Sequence, residues 1–318
     1  VRCLITGAAG FIGSHLAQKL IAEGHDVTGI DCFTDYYPRS IKEHNLKGLK
    51  DNPRFQFIEQ DLVKMDMEKH ISRIDWVFHQ AAQAGVRTSW GNYFEHYTHD
   101  NILATQSLLE ACKGTGIKKF VYASSSSIYG DSEDLPLTEE SMPKPISPYG
   151  VTKLAGEHLC LLYWKNFQVP VINLRYFTVY GPRQRPDMAF NLFIRSILKD
   201  EEIVLYGDGE QTRDFTFISD IIEANLLAAQ STVTGETINI GGGSQTSMNE
   251  VIRSLGEISG KTFTIKRHEA QKGDVRHTLA DVTKARRLIG YNPRIQLENG
   301  LREEYEWLSK NIDLYEKR

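Results

Sequence analysis

Short apolar, β-branched runs recur through the first half of the chain, at Cys3–Thr6, Val27–Ile30, Phe55–Ile58, Trp76–His79, Phe120–Ser124 and Val171–Leu174. Between several of them lie segments with apolar positions three and four apart, at Phe11–Ala22, Phe94–Cys112 and Pro148–Phe167. Near-continuous apolar strands belong to a parallel sheet covered on both faces, and strand–helix–strand repetition predicts such a sheet. Right-handed crossovers put helices on both faces, so the expected fold class is α/β with a doubly wound parallel sheet. After Arg175 the rhythm changes. Gly181–Asp187 reads as loop, Ala189–Leu198 as helix, Ile203–Tyr206 as a short strand and Gly207–Gly209 as a turn. Ser219–Gln230 is helical, Thr237–Ile240 strand-like, and helices are expected near Asn249–Ile258 and Gly300–Leu308. The pattern predicts a sheet domain over 1–175, with returning segments near 214–240, and a smaller α/β C-terminal lobe over 176–318.

The length of 318 residues suits one large domain or two unequal ones. A formal net charge of −4 without a basic block argues against a nucleic-acid partner. Cys3, Cys32, Cys112 and Cys160 form no CxxC pair and no Cys/His cluster at zinc spacing. They point to no metal and to a reducing, cytoplasmic setting. No run approaches about 18 apolar residues, and no secretory leader pattern opens the chain, so no membrane association is expected.

The chemistry begins after the first strand. Gly7-Ala8-Ala9-Gly10-Phe11-Ile12-Gly13 joins that strand to the first helix. Glycines there let a pyrophosphate approach the backbone, and the helix N-terminus presents free N–H groups and partial positive charge. The GxxGxxG spacing is one residue longer than the commoner dinucleotide fingerprint, yet the strand–loop–helix context is that of a Rossmann domain. Asp31 ends the second strand, where an acid accepts hydrogen bonds from ribose hydroxyls and repels a 2′-phosphate, favouring NAD. Asp61 ends the third strand, and Gln80, Ala81 and Ala82 follow the fourth, small enough to let a flat cofactor lie on the strand tips.

Ser147 and Pro148 suit the N-cap and first position of a long helix, which puts Tyr149 and Lys153 on one face. An unperturbed tyrosine titrates near 10, too high for a base at neutral pH. At about 5 Å and an effective dielectric near 20, a positive neighbour contributes roughly 3 kcal/mol to the phenolate before desolvation. Lys153 and an oxidised nicotinamide together are expected to lower the Tyr149 pKa by about three pH units. Upstream, Ser124-Ser125-Ser126-Ser127 ends a strand at the ligand end of the sheet, where a hydroxyl can relay a proton between an alcohol and Tyr149.

These motifs, with Asp61-Leu62, SSSSIYG at 124–130 and YGVTK at 149–153, resemble the extended short-chain dehydrogenase/reductase family. The likeness runs end to end, through LRYFTVYGPRQRPDMA at 174–189, GDGEQTRDFTFISD at 207–220 and KGDVRHTLAD at 272–281, and is closest to its nucleotide-sugar epimerases. The resemblance implies bound NAD and a C-terminal lobe for a UDP-sugar. Ser125 would partner Tyr149 at the catalytic centre, with Ser126 beside it and Ser127 lining the sugar. Asn101 and Tyr176 would lie near the cofactor. Asn191, Arg213, Asp274 and Arg276 would hold the UDP part. Serines stand at 126 and 127, where dehydratases and decarboxylases of this family usually carry an acid. That favours an enzyme that only moves a hydride. Thr178 stands where galactose-type epimerases usually carry Asn, and FTVYG followed by RPDMA looks like the UDP-glucuronate 4-epimerases. Thr178, Arg185 and Arg87 would then face the sugar carboxylate. A UDP-glucose/UDP-galactose 4-epimerase, a UDP-glucuronate decarboxylase and a non-catalytic NAD-binding regulator are the alternatives. The family resemblance also implies a homodimer through the helices around 93–112 and 149–167.

Overall fold

The computed structural model describes residues 1–316. Its main sheet is built from β1 (Arg2–Thr6), β2 (Asp26–Asp31), β3 (Phe55–Glu59), β4 (Trp76–His79), β5 (Lys119–Ser125) and β6 (Val171–Tyr176). The second half of the chain adds β7 (Thr178–Tyr180), β8 (Ile203–Tyr206), β9 (Thr212–Phe217), β10 (Glu236–Ile240), β11 (Gln245–Ser247) and β12 (Ile265–His268). Seven strands form one parallel sheet in the order β10-β6-β5-β4-β1-β2-β3. Every residue of β5 and β6 is buried, which is why these strands read as unbroken runs rather than alternating ones. The doubly wound α/β sheet is therefore present, and β10 extends it beside β6 after the chain has left for the smaller sheets.

The strand order reverses between β1 and β4, and ligands of such sheets bind outside the strand tips at that switch point. Thr6 and His79 mark it: the Thr6 hydroxyl lies 2.7 Å from His79 Nδ1. The other sheets are small, β11-β9-β7 and β12-β8. Strands β7, β9, β11 and β12 were not predicted from the sequence, because three to six residues of polar or mixed pattern carry little period-2 signal.

Two helices matter most for the site. Pro148–Phe167 starts as expected: the Ser147 hydroxyl accepts from the Gly150 N–H at 3.1 Å and Pro148 occupies the first turn. The expected single helix over Phe94–Cys112 is instead a short turn, a π-helical segment at Thr98–Leu103, and a regular helix at Ala104–Cys112. The π segment brings the buried Asn101 amide to the backbone of Gln83 and the hydroxyl of Thr152, bonds that offset the irregular turn. Among the described residues no helix is long and apolar enough to cross a membrane.

Candidate active site

A cleft opens at the switch point. Gly7, Gly10, Phe11, Ile12 and Gly13 line one wall, Asp31, Asp61 and Leu62 the far end, and Gln80, Ala81 and Ala82 the floor. Tyr149, Lys153, Tyr176 and Arg185 close the near end. A Cβ at Gly13 would collide with the Gly7 carbonyl, so the helix seats against the loop only because residue 13 is glycine. Asp31 accepts from the N–H of Ala9 at 3.0 Å and of Phe33 at 2.8 Å, pinning the glycine loop to the end of β2. Burial raises its pKa, and Lys42 and these N–H groups pull it back down. The glycine-lined wall, the free helix N-terminus and the acid at the tip of β2 fit a dinucleotide.

The cleft also has lining that no motif announced, including Tyr36, Tyr37, Lys42 and Gln83. Tyr36, Tyr37 and Lys42 lie after β2, where loop geometry rather than spacing brings side chains inward. Asn101 does not reach the cleft; it braces Gln83, which does.

At the near end Tyr149 and Lys153 share one face of the helix Pro148–Phe167. A Cβ at Gly150 would approach the Ser127 carbonyl to 2.5 Å, so this glycine lets the helix start press on the serine turn Ser126–Ile128. Ser125 ends β5 with its hydroxyl accepting from the Ser127 N–H at 3.1 Å, and that hydroxyl lies against Tyr149. Ser124, not Ser125, lines the cleft wall.

Burial dominates the electrostatics of both groups. In the protein alone Tyr149 is raised, not lowered, because burial outweighs the help of Ser125 and the Arg185 charge. Lys153 is pushed down to about 8 by burial. Its ammonium donates to the Ala123 carbonyl at 2.7 Å and sits 5.2 Å from the centre of the Tyr122 ring. The Arg185 guanidinium also favours the Tyr149 phenolate. It is held by Asp187 through two bonds of 3.0 Å, and the Tyr36 hydroxyl donates to the same Asp187 at 3.2 Å.

The remaining predicted residues fall in two groups. Arg87, Arg213, Asp274 and Arg276 gather beyond the cleft. Arg87 pairs with Asp274 at 2.8 Å and lies 4.6 Å from the centre of the Tyr206 ring. Arg213 donates to the carbonyls of Thr212 and Arg276, and Arg276 pairs with Asp208 at 2.9 Å. The second group lies nearer the core. Thr178 opens β7 opposite Phe215. Asn191 is fully buried, and its amide donates to the Gln184 carbonyl at 2.9 Å, so it shapes the 181–188 loop from behind. Tyr176 is buried too, its hydroxyl donating to Asn225 at 2.9 Å beside Gln80. Arg183, in the same loop, reaches Gln18 of the first helix at 3.1 Å. The described residues hold no cluster of His, Cys, Asp and Glu suited to a metal ion.

Comparison with known proteins agrees with this geometry. Residues 3–241 match the model of the NAD dependent epimerase/dehydratase family. The chain is 44% identical over 311 residues to an uncharacterized UDP-glucose epimerase of Bacillus subtilis (strain 168), covering 97% of this chain and 98% of that one. It is 39% identical over 316 residues to a UDP-glucuronate 4-epimerase of Thermodesulfobacterium geofontis (strain OPF15), covering 98% and 97%. Among solved structures, the UDP-glucuronic acid 4-epimerase of Bacillus cereus in complex with UDP-glucuronic acid and NAD superposes with a TM-score of 0.95 at 47% identity, over 98% of this chain and 100% of that one. A cleft lined by glycine, acid, tyrosine and lysine at the switch point, and likeness along the whole chain, lead to one conclusion: the chain belongs to the NAD dependent epimerase/dehydratase family.

Proposed function

We propose that the protein is an NAD-dependent UDP-sugar 4-epimerase that interconverts UDP-glucuronate and UDP-galacturonate. One observation carries the choice of sugar: Arg185 lines the same cleft end as Tyr149 and Lys153. A carboxylate on the sugar would meet a guanidinium there, with Thr178, Ser126 and Ser127 as hydroxyl partners. The 47% identity to the Bacillus cereus enzyme supports the same reading.

Bound NAD would supply a hydride acceptor and donor for C4. The protein's own residues do the rest. Gly7, Gly10, Phe11, Ile12 and Gly13 would receive the pyrophosphate, Asp31 the ribose, and Asp61, Leu62, Gln80, Ala81 and Ala82 the flanking surface. Tyr149 takes the C4 hydroxyl proton, directly or through Ser125, and gives it back. Lys153 favours the phenolate electrostatically. Arg213, Asp274 and Arg276 anchor the UDP part while the sugar turns about its diphosphate, and Arg87 braces Asp274. Holding the carboxylate keeps its bond to C5 out of line with the neighbouring ketone, which suppresses loss of CO₂.

In this reading residues 1–175, with returning segments near 214–240, form the NAD-binding unit, and 176–318 the sugar-nucleotide lobe. Exposed Leu103, Val151, Leu162 and Phe167 support a homodimer through these helical segments. Four free cysteines support a reducing, cytoplasmic setting. A second reading, epimerisation of UDP-glucose, has the 44% identity to the Bacillus subtilis protein in its favour. Steady-state rates with UDP-glucuronate and UDP-glucose side by side, with CO₂ monitored, decide between them. A higher kcat/KM for the uronate without CO₂ release supports the first; a higher value for the neutral sugar supports the second.

A further inference from the structure

Tyr149, Lys153 and Glu157 follow one another at four-residue intervals along one helix and share a face. Glu157 is 2% exposed and Arg175 of β6 is 6% exposed. Arg175 Nε donates to Glu157 Oε1 at 2.9 Å and Nη2 to Oε2 at 2.8 Å, while Nη1 donates to the Tyr129 hydroxyl at 2.8 Å. The Ser124 hydroxyl donates to the same Glu157 carboxylate. Ser124 faces Arg175 across the β5–β6 pair, lines the cleft, and precedes Ser125. One carboxylate thus spans from the helix of Tyr149 and Lys153 to the strand tip that carries Ser125.

A buried ion pair is a weak way to hold a helix on a strand, since desolvation offsets the attraction and an apolar pair of similar volume often does as well. Its charge calls for another reason. Lys153 is buried with one backbone carbonyl as its acceptor. Around it stand Tyr149, Glu157 and Cys160 from its own helix, Tyr122 from β5 and His79 from β4. Burial keeps His79 neutral and the Cys160 and Tyr122 protons in place. Glu157 is the carboxylate one helical turn from Lys153, and the Ser124 that it holds is the neighbour of the Ala123 whose carbonyl holds the ammonium.

We propose that Glu157 is a positioning residue of the reaction: one turn beyond Lys153, its carboxylate supplies the counter-charge to the buried ammonium, while Arg175 holds that carboxylate in place. This rests on the reading that Tyr149 and Lys153 catalyse epimerisation.

The test compares kcat against pH, KM and Tm for the NAD-loaded wild type, Glu157→Gln and Arg175→Lys. Glu157→Gln keeps the shape and loses the charge. Its alkaline limb moves down by about one pH unit, lowering kcat about fivefold at pH 8 with KM nearly unchanged. Arg175→Lys keeps the charge and loses the two-pronged contact, so its Tm falls while the alkaline limb stays with the wild type. A purely structural tie would lower Tm in both variants and leave both limbs in place, and that result overturns the inference. Should Glu157→Gln not fold, the double variant Glu157→Gln/Arg175→Met leaves no orphaned cation and carries the same expectation for the limb. A wild type inactive on both UDP-glucuronate and UDP-glucose would overturn the epimerase reading itself, and this inference with it.

Discussion

The Lys153 ammonium donates a 2.7 Å hydrogen bond to the Ala123 carbonyl, which ties the helix of Tyr149 to the strand of Ser125. Burial at that point pushes the lysine down to about 8. The charged lysine is the active form, so activity falls as pH rises through that value and Lys153 loses its proton. A kcat/KM profile of the wild type is expected to show an alkaline limb near pH 8. Lys153→Met removes the cation outright. Tyr149 then needs a higher pH to ionise, so kcat drops by about 100-fold at neutral pH and the acid limb moves up.

Tyr149→Phe keeps the ring and removes the proton carrier. The expected loss in kcat is about 10³-fold, within the range of a positioned acid–base group. NAD content of the purified protein, read by absorbance after denaturation, should stay at the wild-type level, because the ring and Lys153 remain.

Arg185→Ala separates the two sugars. A charge-assisted hydrogen bond to a carboxylate contributes about 1.5–3 kcal/mol, so KM for UDP-glucuronate should rise by about tenfold to a hundredfold. KM for UDP-glucose should change little. Equal losses on both sugars would remove Arg185 from the recognition of the carboxylate.

Gly13→Ala places a methyl against the Gly7 carbonyl. The helix must lift from the loop, a strain of about 1–3 kcal/mol by analogy with overpacked cores. A Tm lower by several degrees and a reduced NAD content are expected, measured by calorimetry and by released nucleotide.

The parts legible in the sequence are those whose partners lie within one turn or at one strand end. GAAGFIG, Asp31 and the Tyr149–Lys153 spacing need only a strand, a loop and a helix to be meaningful, and the structure lines one cleft with them. The partnership of Glu157 and Arg175 was not legible, because it exists only once the helix Pro148–Phe167 is laid across β5 and β6. The π segment at Thr98–Leu103 was not legible either: the apolar period of Phe94–Cys112 suits one regular helix, and the break is set by where Asn101 must reach. The burial that raises Tyr149 in the protein alone was not legible, because spacing along a helix does not report it.

The central claim is that a hydride leaves C4 and returns to the same carbon on the other face. UDP-glucuronate deuterated at C4, incubated with the purified protein without added NAD and followed by NMR, tests it most directly. The account predicts UDP-galacturonate that keeps its deuterium at C4, with no exchange at C5. Deuterium lost from C4 to solvent, or no UDP-galacturonate at all, would contradict it.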